Sequence, residues 1–577
     1  MKAIKETKRK TPLSIKLIVV LVFIVAVVSF ELSLKYAGEN KIEYPELKLD
    51  VRLHTPECLI KGGFYEDAVS VSLNVSSSEK IYYTLDGSEP SLSSAVYSKP
   101  IVIQSKTNSA NVFSVIPSST RWKPPVGEVF KGTTLRAISV DADNNKSTEL
   151  IRTFFVDEKG KKRYSLPVIA ITVNQADFFG YEDGIYVMGK QYEDKDYYLK
   201  KNIRLDAPWW EYPSNYLMRG SNSERPIHIE FYDENGNLGF EQNAGARISG
   251  NATRGFSQKS LRVCFDKKYG IEQLSYKIFP NNEVTSFNSL ILRNAGNDWT
   301  KTMFRDAFMQ SLMSNSNLET QDYRPAIVFI NGEYWGVHNI RERVDENYLA
   351  NKYKMSTDSI VILQLTGTLF YGKKNDQDAF SSLLDFIKSN DLSQDKNYEF
   401  VEQQIDITNF MDFIISNVYF CNSDWPNNNV KFWRCRSGIS THDSVGVRDG
   451  RWRWILYDTD WGFGYTGKED YQMNLLEKAK KVSSIGVIFG GLLKNKAFSE
   501  KFISRFDFHI TKTFDETTVI SRINEFEHKL KPEMQEHINR WRVIGSNSNW
   551  ESNVEELRDF AKKRPAIQKE HLKSLKN

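Results

Sequence analysis

From Asp406 to Tyr419 the apolar residues Phe410, Phe413, Ile414 and Val418 recur at helical spacing, with Asp406 or Thr408 available as the cap. The chain then runs directly into the polar stretch Asn422-Ser-Asp-Trp-Pro-Asn-Asn-Asn429, in which Asp424 stands five positions before Asn429. Two short runs follow, Lys431 to Arg434 and Trp452 to Tyr457, which read as strands flanking an exposed turn around Asp443 to Gly450. The second run opens onto Tyr457-Asp-Thr-Asp-Trp-Gly-Phe-Gly464, where Asp458 and Asp460 alternate. Helix, polar loop, hairpin and acidic loop in that order require a mixed α+β fold.

The chain ahead of this region is β-rich. Pro226 to Tyr232, the turn Asp233-Glu-Asn-Gly236 and Gly245 to Ser249 read as a hairpin with a following strand. The glycine-bounded turn Gly250 to Ser257 leads into a strand that carries Lys259. Such a turn offers backbone N–H groups to phosphate, with the lysine as a point charge beside it. Thr300 to Ser314 has helical spacing, and Ala326 to Ile340 is a hairpin turning at Asn331-Gly332. From about Val487 onward the pattern is amphipathic helix. In phosphotransfer by protein kinases, one loop aspartate receives the proton of the attacking hydroxyl. An asparagine five residues on and a later acidic loop hold the metal ions. Asp424, Asn429, Asp458 and Asp460 have that spacing. Each carries a structural alternative, since an aspartate before a turn is often no more than a cap.

At 577 residues the chain is long enough for two or three domains, and 12 Trp, 27 Tyr and 35 Phe supply ample cores. A net charge of +4 with well-mixed signs gives no basic stripe, so nucleic acid is not an expected partner. The four cysteines show no C-x-x-C pair and hence no zinc signature; Cys421 and Cys435 read as buried thiols that a hairpin could bring face to face. Lys2, Lys5, Lys8, Arg9, Lys10 and Lys16 precede the apolar run Leu17 to Phe30, without a clear cleavage site. We therefore expect residues 1–38 to form a basic cytoplasmic tail and a single-pass signal anchor in the cell membrane, with the bulk of the chain extracytoplasmic. Secretion after signal cleavage is the alternative. Residues 39–50 read as a linker.

Between 51 and 158 short alternating strands, among them Val69 to Val75, Lys80 to Leu85, Lys99 to Gln104 and Thr134 to Val140, predict a small β-sandwich. Ile81-Tyr-Tyr-Thr-Leu-Asp-Gly-Ser-Glu-Pro90, with Tyr97, Ile101 and Thr134 to Ala137, resembles the fibronectin-III-like module found at the ends of chitobiases and β-hexosaminidases. The reading favoured for it is a spacer, with glycan contact as the other.

The remainder, residues 159–577, reads as one domain, and from about Tyr164 to the C-terminus it resembles the CotH kinase family, named for spore coat protein H. The resemblance is carried by Arg225 to Phe231, Gly245 to Arg254 with Gln258 to Arg262, Leu292 to Thr300 with Arg305-Asp306, Ile330 to Val337 with Arg341 to Arg343, Asn422 to Trp425, Trp454 to Gly462 and Phe560 to Pro565. It implies an atypical protein-kinase-like bilobal fold, with a β-rich N-lobe over about 159–345 and a helical C-lobe over about 346–577. It also implies use of ATP with Mg²⁺ or Mn²⁺ to phosphorylate Ser or Thr of a surface or coat protein. By the same resemblance Asp424 is the base, Lys259 contacts the α/β-phosphates, and Asn429 and Asp458 ligate the metal. Asp460 is then a second ligand or loop orienter. Asp306 is offered as the carboxylate that pairs Lys259, and Arg247, with Arg254 and Arg293, as braces for phosphate or as arginines paired with acids. G-x-G-x-x-G, H-R-D and D-F-G are all missing. An inert attachment protein on a kinase-like scaffold, in contact with cell-wall glycan, is the main alternative. A glycan hydrolase using the same aspartates is the third reading.

Overall fold

The computed structural model describes residues 53–75, 79–201, 207–436 and 446–575, so the signal-anchor and linker readings, and the start of the turn around Asp443 to Gly450, lie outside the described residues. Among the described residues no helix is long and apolar enough to cross a membrane. Strand patterning at the front builds a five-stranded sheet that includes Lys80–Thr84, Thr133–Val140 and Leu150–Val156. Val69–Val71 pairs with Ile101–Ile103 in a separate two-stranded sheet. Val71, Ile81, Ile103, Leu135 and Phe154 from both sheets share one core, which makes this part a β-sandwich.

Next comes a closed seven-stranded barrel. Its strands are β1 (Val168–Val173), β2 (Arg225–Tyr232), β3 (Leu238–Ser249), β4 (Ser260–Cys264), β5 (Ser289–Arg293), β6 (Tyr323–Ile330) and β7 (Glu333–Glu342). They follow the order β1-β2-β3-β4-β5-β7-β6, and a parallel pairing of β6 with β1 closes the ring. Alternation fixes which side chains are buried. Ala244, Ala246 and Ile248 on β3, Leu261 and Val263 on β4, and Leu290 and Leu292 on β5 are all buried, while Arg247, Arg262 and Arg293 between them take the opposite face. The β6–β7 turn falls at Asn331-Gly332, both with positive φ (47° and 80°), as a two-residue hairpin loop requires.

The expected helix over Thr300 to Ser314 is shorter, α1 at Arg305–Leu312. Met303 has φ of 73°, which stops helical continuation, and the Asp298 carboxylate accepts the N–H groups of Thr302 and Arg305 at 3.2 and 3.0 Å. After the barrel helices dominate. The exception is a four-stranded sheet in the order Thr368–Tyr371, Ile360–Gln364, Lys431–Cys435, Arg453–Ile455. The last two are the hairpin expected between the two loops. Helix α2, Ile407–Tyr419, is capped by Asp406, whose side chain accepts from Asn409 N–H. Trp452 and Trp454 stack with Phe380, Phe410 and Phe432 in the core beneath this hairpin. All four cysteines are free thiols, and Cys421 and Cys435 are buried.

The sandwich is not a detached spacer. Glu333 of β7 accepts backbone N–H groups from Val112, Phe113 and Ser114, and Gly132 N–H bonds to the Gly332 carbonyl at 2.8 Å. Phe64, Phe130 and Phe155 pack against Tyr164, Tyr232 and Phe329 of the barrel in one continuous apolar core. Alternation gives the sandwich a second apolar face, and the barrel wall covers it.

Candidate active site

The hairpin following α2 returns the chain to its start, so the two loops meet. Asn429 adopts φ of 57° and Asp458 φ of 53°. In that conformation Asn429 Nδ2 donates to Asp424 Oδ2 at 2.9 Å and to the Asp458 carbonyl at 3.1 Å. Asn428 Nδ2 donates to the other Asp424 oxygen at 2.7 Å. Lys478, far along the chain, straddles this loop by donating to the carbonyls of Ser423 and Trp425 at 3.0 and 2.7 Å. Asp424, Asn429 and Asp458 thus form one half-exposed constellation.

Asp458 and Asp460 take different places. The Asp458 side chain is 34% exposed and that of Asp460 1%. Arg293, on the outward face of β5, donates through one Nη2 to Asp458 at 2.6 Å and to Asp460 at 2.8 Å. Asp460 also accepts the backbone N–H of Asn297 at 2.8 Å. Gly296 makes this approach feasible, since a side chain there would collide with both Asp460 and Arg293. Burial and the neighbouring Asp458 push the Asp460 carboxyl up, against the pull of Arg293. Asp458 is the one open to solvent, and Asp460 anchors the loop.

Asp306 does not pair with Lys259. It accepts from Arg341 Nη1 at 2.7 Å, Gln310 Nε2 at 2.9 Å and the backbone N–H of Thr459 at 2.8 Å. Burial alone would raise its pKa, but Arg341 and Arg293 outweigh burial and hold the carboxyl well below the usual range. Lys259 is fully buried, and its Nζ donates to the carbonyls of Arg254 and Phe256 at 2.7 and 2.9 Å, over the ring of Tyr216. Burial first, and Arg254 next, push this ammonium well below the usual lysine range. The reason is parity: Lys259 alternates with Ser260 and so shares the buried side of Leu261 and Val263, while Arg262 faces outward. Arg247 is half-buried and 3.9 Å from Glu224, so it borders an acid, as one of the two readings held. Arg254 bonds to carbonyls of Gly250, Tyr216 and Met218.

Asn297 and Lys478 are site residues that spacing alone does not reveal, because each joins the loops from a remote segment. Two carboxylates and an amide give Asp458, Asp460 and Asn429 an all-oxygen donor set of the kind hard divalent cations take. Among the described residues no group of three or more His, Cys, Asp or Glu is placed to hold a metal. A family profile described as CotH kinase protein matches residues 246–567, and one described as Fn3 associated matches 71–154. No curated protein matches the chain.

Proposed function

Because the chain belongs to the CotH kinase protein family, we propose that it is a phosphotransferase that moves the γ-phosphoryl group of ATP to Ser or Thr of a surface or coat protein. The observation that carries this reading is the double hydrogen bond of Asn429, which ties Asp424 to the backbone of Asp458. In the reaction the acceptor oxygen bonds to the γ-phosphorus, the bond to the ADP oxygen breaks, and the hydroxyl proton passes to Asp424 Oδ. Asn428 and Asn429 fix the direction of that carboxylate, and Lys478 holds its loop. Asp458, Asn429 and, behind them, Asp460 are the residues that would hold Mg²⁺ or Mn²⁺, which when bound supplies charge neutralisation to the phosphates. The basic tail and apolar run at the N-terminus support a protein held in the cell membrane with this site outside.

Replacing Asp424 by Asn keeps the size and, with the exposed Asn428 amide turned to accept, the loop bonds, but removes the proton acceptor. Transfer from labelled ATP should fall roughly 100- to 10,000-fold with no change in unfolding midpoint. Full activity in Asp424→Asn would overturn the assignment. One observation favours a second reading, an inert attachment protein: Arg293 already neutralises both acidic-loop carboxylates. Absence of any Mg²⁺-ATP binding would decide for it.

A further inference from the structure

The outward face of the barrel beside the acidic loops carries a cluster of positive charge that its acids balance only in part. In register, Arg247 of β3 lies directly opposite Arg262 of β4, Arg262 opposite Ile291 of β5, and Ile291 opposite Arg341 of β7. Arg341 is consumed by Asp306. Arg343 follows the end of β7, and Lys431, two residues after Asn429, donates to the Val344 carbonyl at 3.1 Å and interacts electrostatically with Arg343, Glu346 and Asp458. The row Arg247, Arg262, Arg343, Lys431 therefore leads from the barrel wall to the constellation of Asp424 and Asp458.

The acids that face it are Glu224, Asp345 and Glu346, the last acting on Arg262, Arg343 and Lys431 alike, and they are fewer than the cations. Glu224 receives Lys268 at 2.9 Å and Tyr269 at 3.1 Å, leaving Arg247 at 3.9 Å. Asp345 caps the helix after β7 and pairs with Arg343. Arg262 enters no ion pair among the described residues, and its buried Nε has no hydrogen-bond partner. Like charges directly opposite in a ladder destabilise a sheet. Burial and Arg247 accordingly pull Arg262 below the usual arginine range, and burial with Arg262 brings Arg343 to about 10. Arg262, set opposite Arg247 and without an ion pair of its own among the described residues, leaves this face with positive charge to offer a multiply charged anion.

We propose that Arg247, Arg262 and Arg343 form the seat of an oligophosphate chain, with Arg262 in the place first given to Lys259. That the oligophosphate belongs to ATP rests on the phosphotransfer reading; the existence of the anion seat does not. Guanidinium forks suit two or three neighbouring phosphates, and their end at Lys431 directs the terminal phosphate to Asp458.

The test is calorimetric titration of the full chain with tripolyphosphate and, separately, with ATP, each with Mg²⁺, in wild type, Arg262→Gln and Arg247→Gln. Lys496→Gln, a change at an exposed lysine of the helical half, controls for net charge. Both arginine variants should bind both ligands at least tenfold more weakly, Lys496→Gln as wild type. Without ligand, Arg262→Gln should unfold at the same temperature or higher, because a repulsion is removed. Wild-type affinity for both ligands in Arg262→Gln, or a clear loss of its ligand-free stability, overturns the seat. If wild type binds tripolyphosphate through Arg262 but not ATP, the seat stands and the nucleotide reading falls. If wild type binds neither, both fall.

Discussion

Asp306 joins the two halves of the molecule through a single carboxylate. Its oxygens take Arg341 from the barrel and Thr459 from the acidic loop, and all three groups are buried. Asp306→Ala strands the Arg341 guanidinium in the interior, at a cost of about 3–5 kcal/mol in urea unfolding. A double variant that also replaces Arg341 with Met should recover part of that loss. At this scale the proximity of Asp424, Asn429, Asp458 and Asp460 was legible because it depends on local spacing within two loops joined by one hairpin. Lys259 was expected at phosphate, but its parity with Leu261 and Val263 puts it on the buried face, where its Nζ bonds to two backbone carbonyls. Asp306 was legible as an important carboxylate, but not its partner, since Arg341 reaches it only through the register of the β6–β7 hairpin.

Among the elements, α2 and the β6–β7 hairpin follow the periodicity and turn residues of the sequence closely. Helix α1 begins five residues later than expected, where the positive φ of Met303, a tertiary effect, overrides apolar spacing. The C-terminal helix, α3 at Asn547–Lys573, shows how a remote element fixes the site. Its buried Arg564 donates to the carbonyls of Val418 and Tyr419 at the end of α2, and to those of Tyr471 and Met473 beyond the acidic loop. Cys421 also donates to two of these carbonyls, through its N–H to Val418 and its thiol to Met473, so Arg564 completes a set of acceptors in an apolar setting. Arg564→Met should cost about 2–5 kcal/mol. It should also speed amide exchange selectively at residues 420–424, measured by hydrogen exchange, while the barrel amides stay protected.

For the whole molecule, the sandwich and barrel share one continuous apolar core, which alternation alone could not reveal because it identifies an apolar face but not its cover. Their junction contains a pH-sensitive group. Glu230 of β2 accepts Thr153 N–H of the sandwich at 3.1 Å and Tyr232 OH at 2.8 Å, while its second oxygen has no partner. Burial raises it from the ordinary 4.5 to about 7, partly offset by these hydrogen bonds. Folding thus favours its protonated form, so its contribution is complete below about pH 4.5 and is lost as pH rises to about 7. The loss amounts to about 3 kcal/mol at most. In Glu230→Gln the difference in stability between pH 4.5 and 7 should shrink by that amount relative to wild type, measured by denaturant unfolding at each pH; an unchanged profile would rule the group out.

Because β6 closes on β1, the barrel has no terminal strand with unpaired amides and carbonyls. An extended segment of another polypeptide has nowhere on that sheet to add itself as a further strand. A protein acceptor engaging this half of the molecule must be gripped by side chains and loops, so its recognition depends on what its residues are and little on whether its backbone is straight.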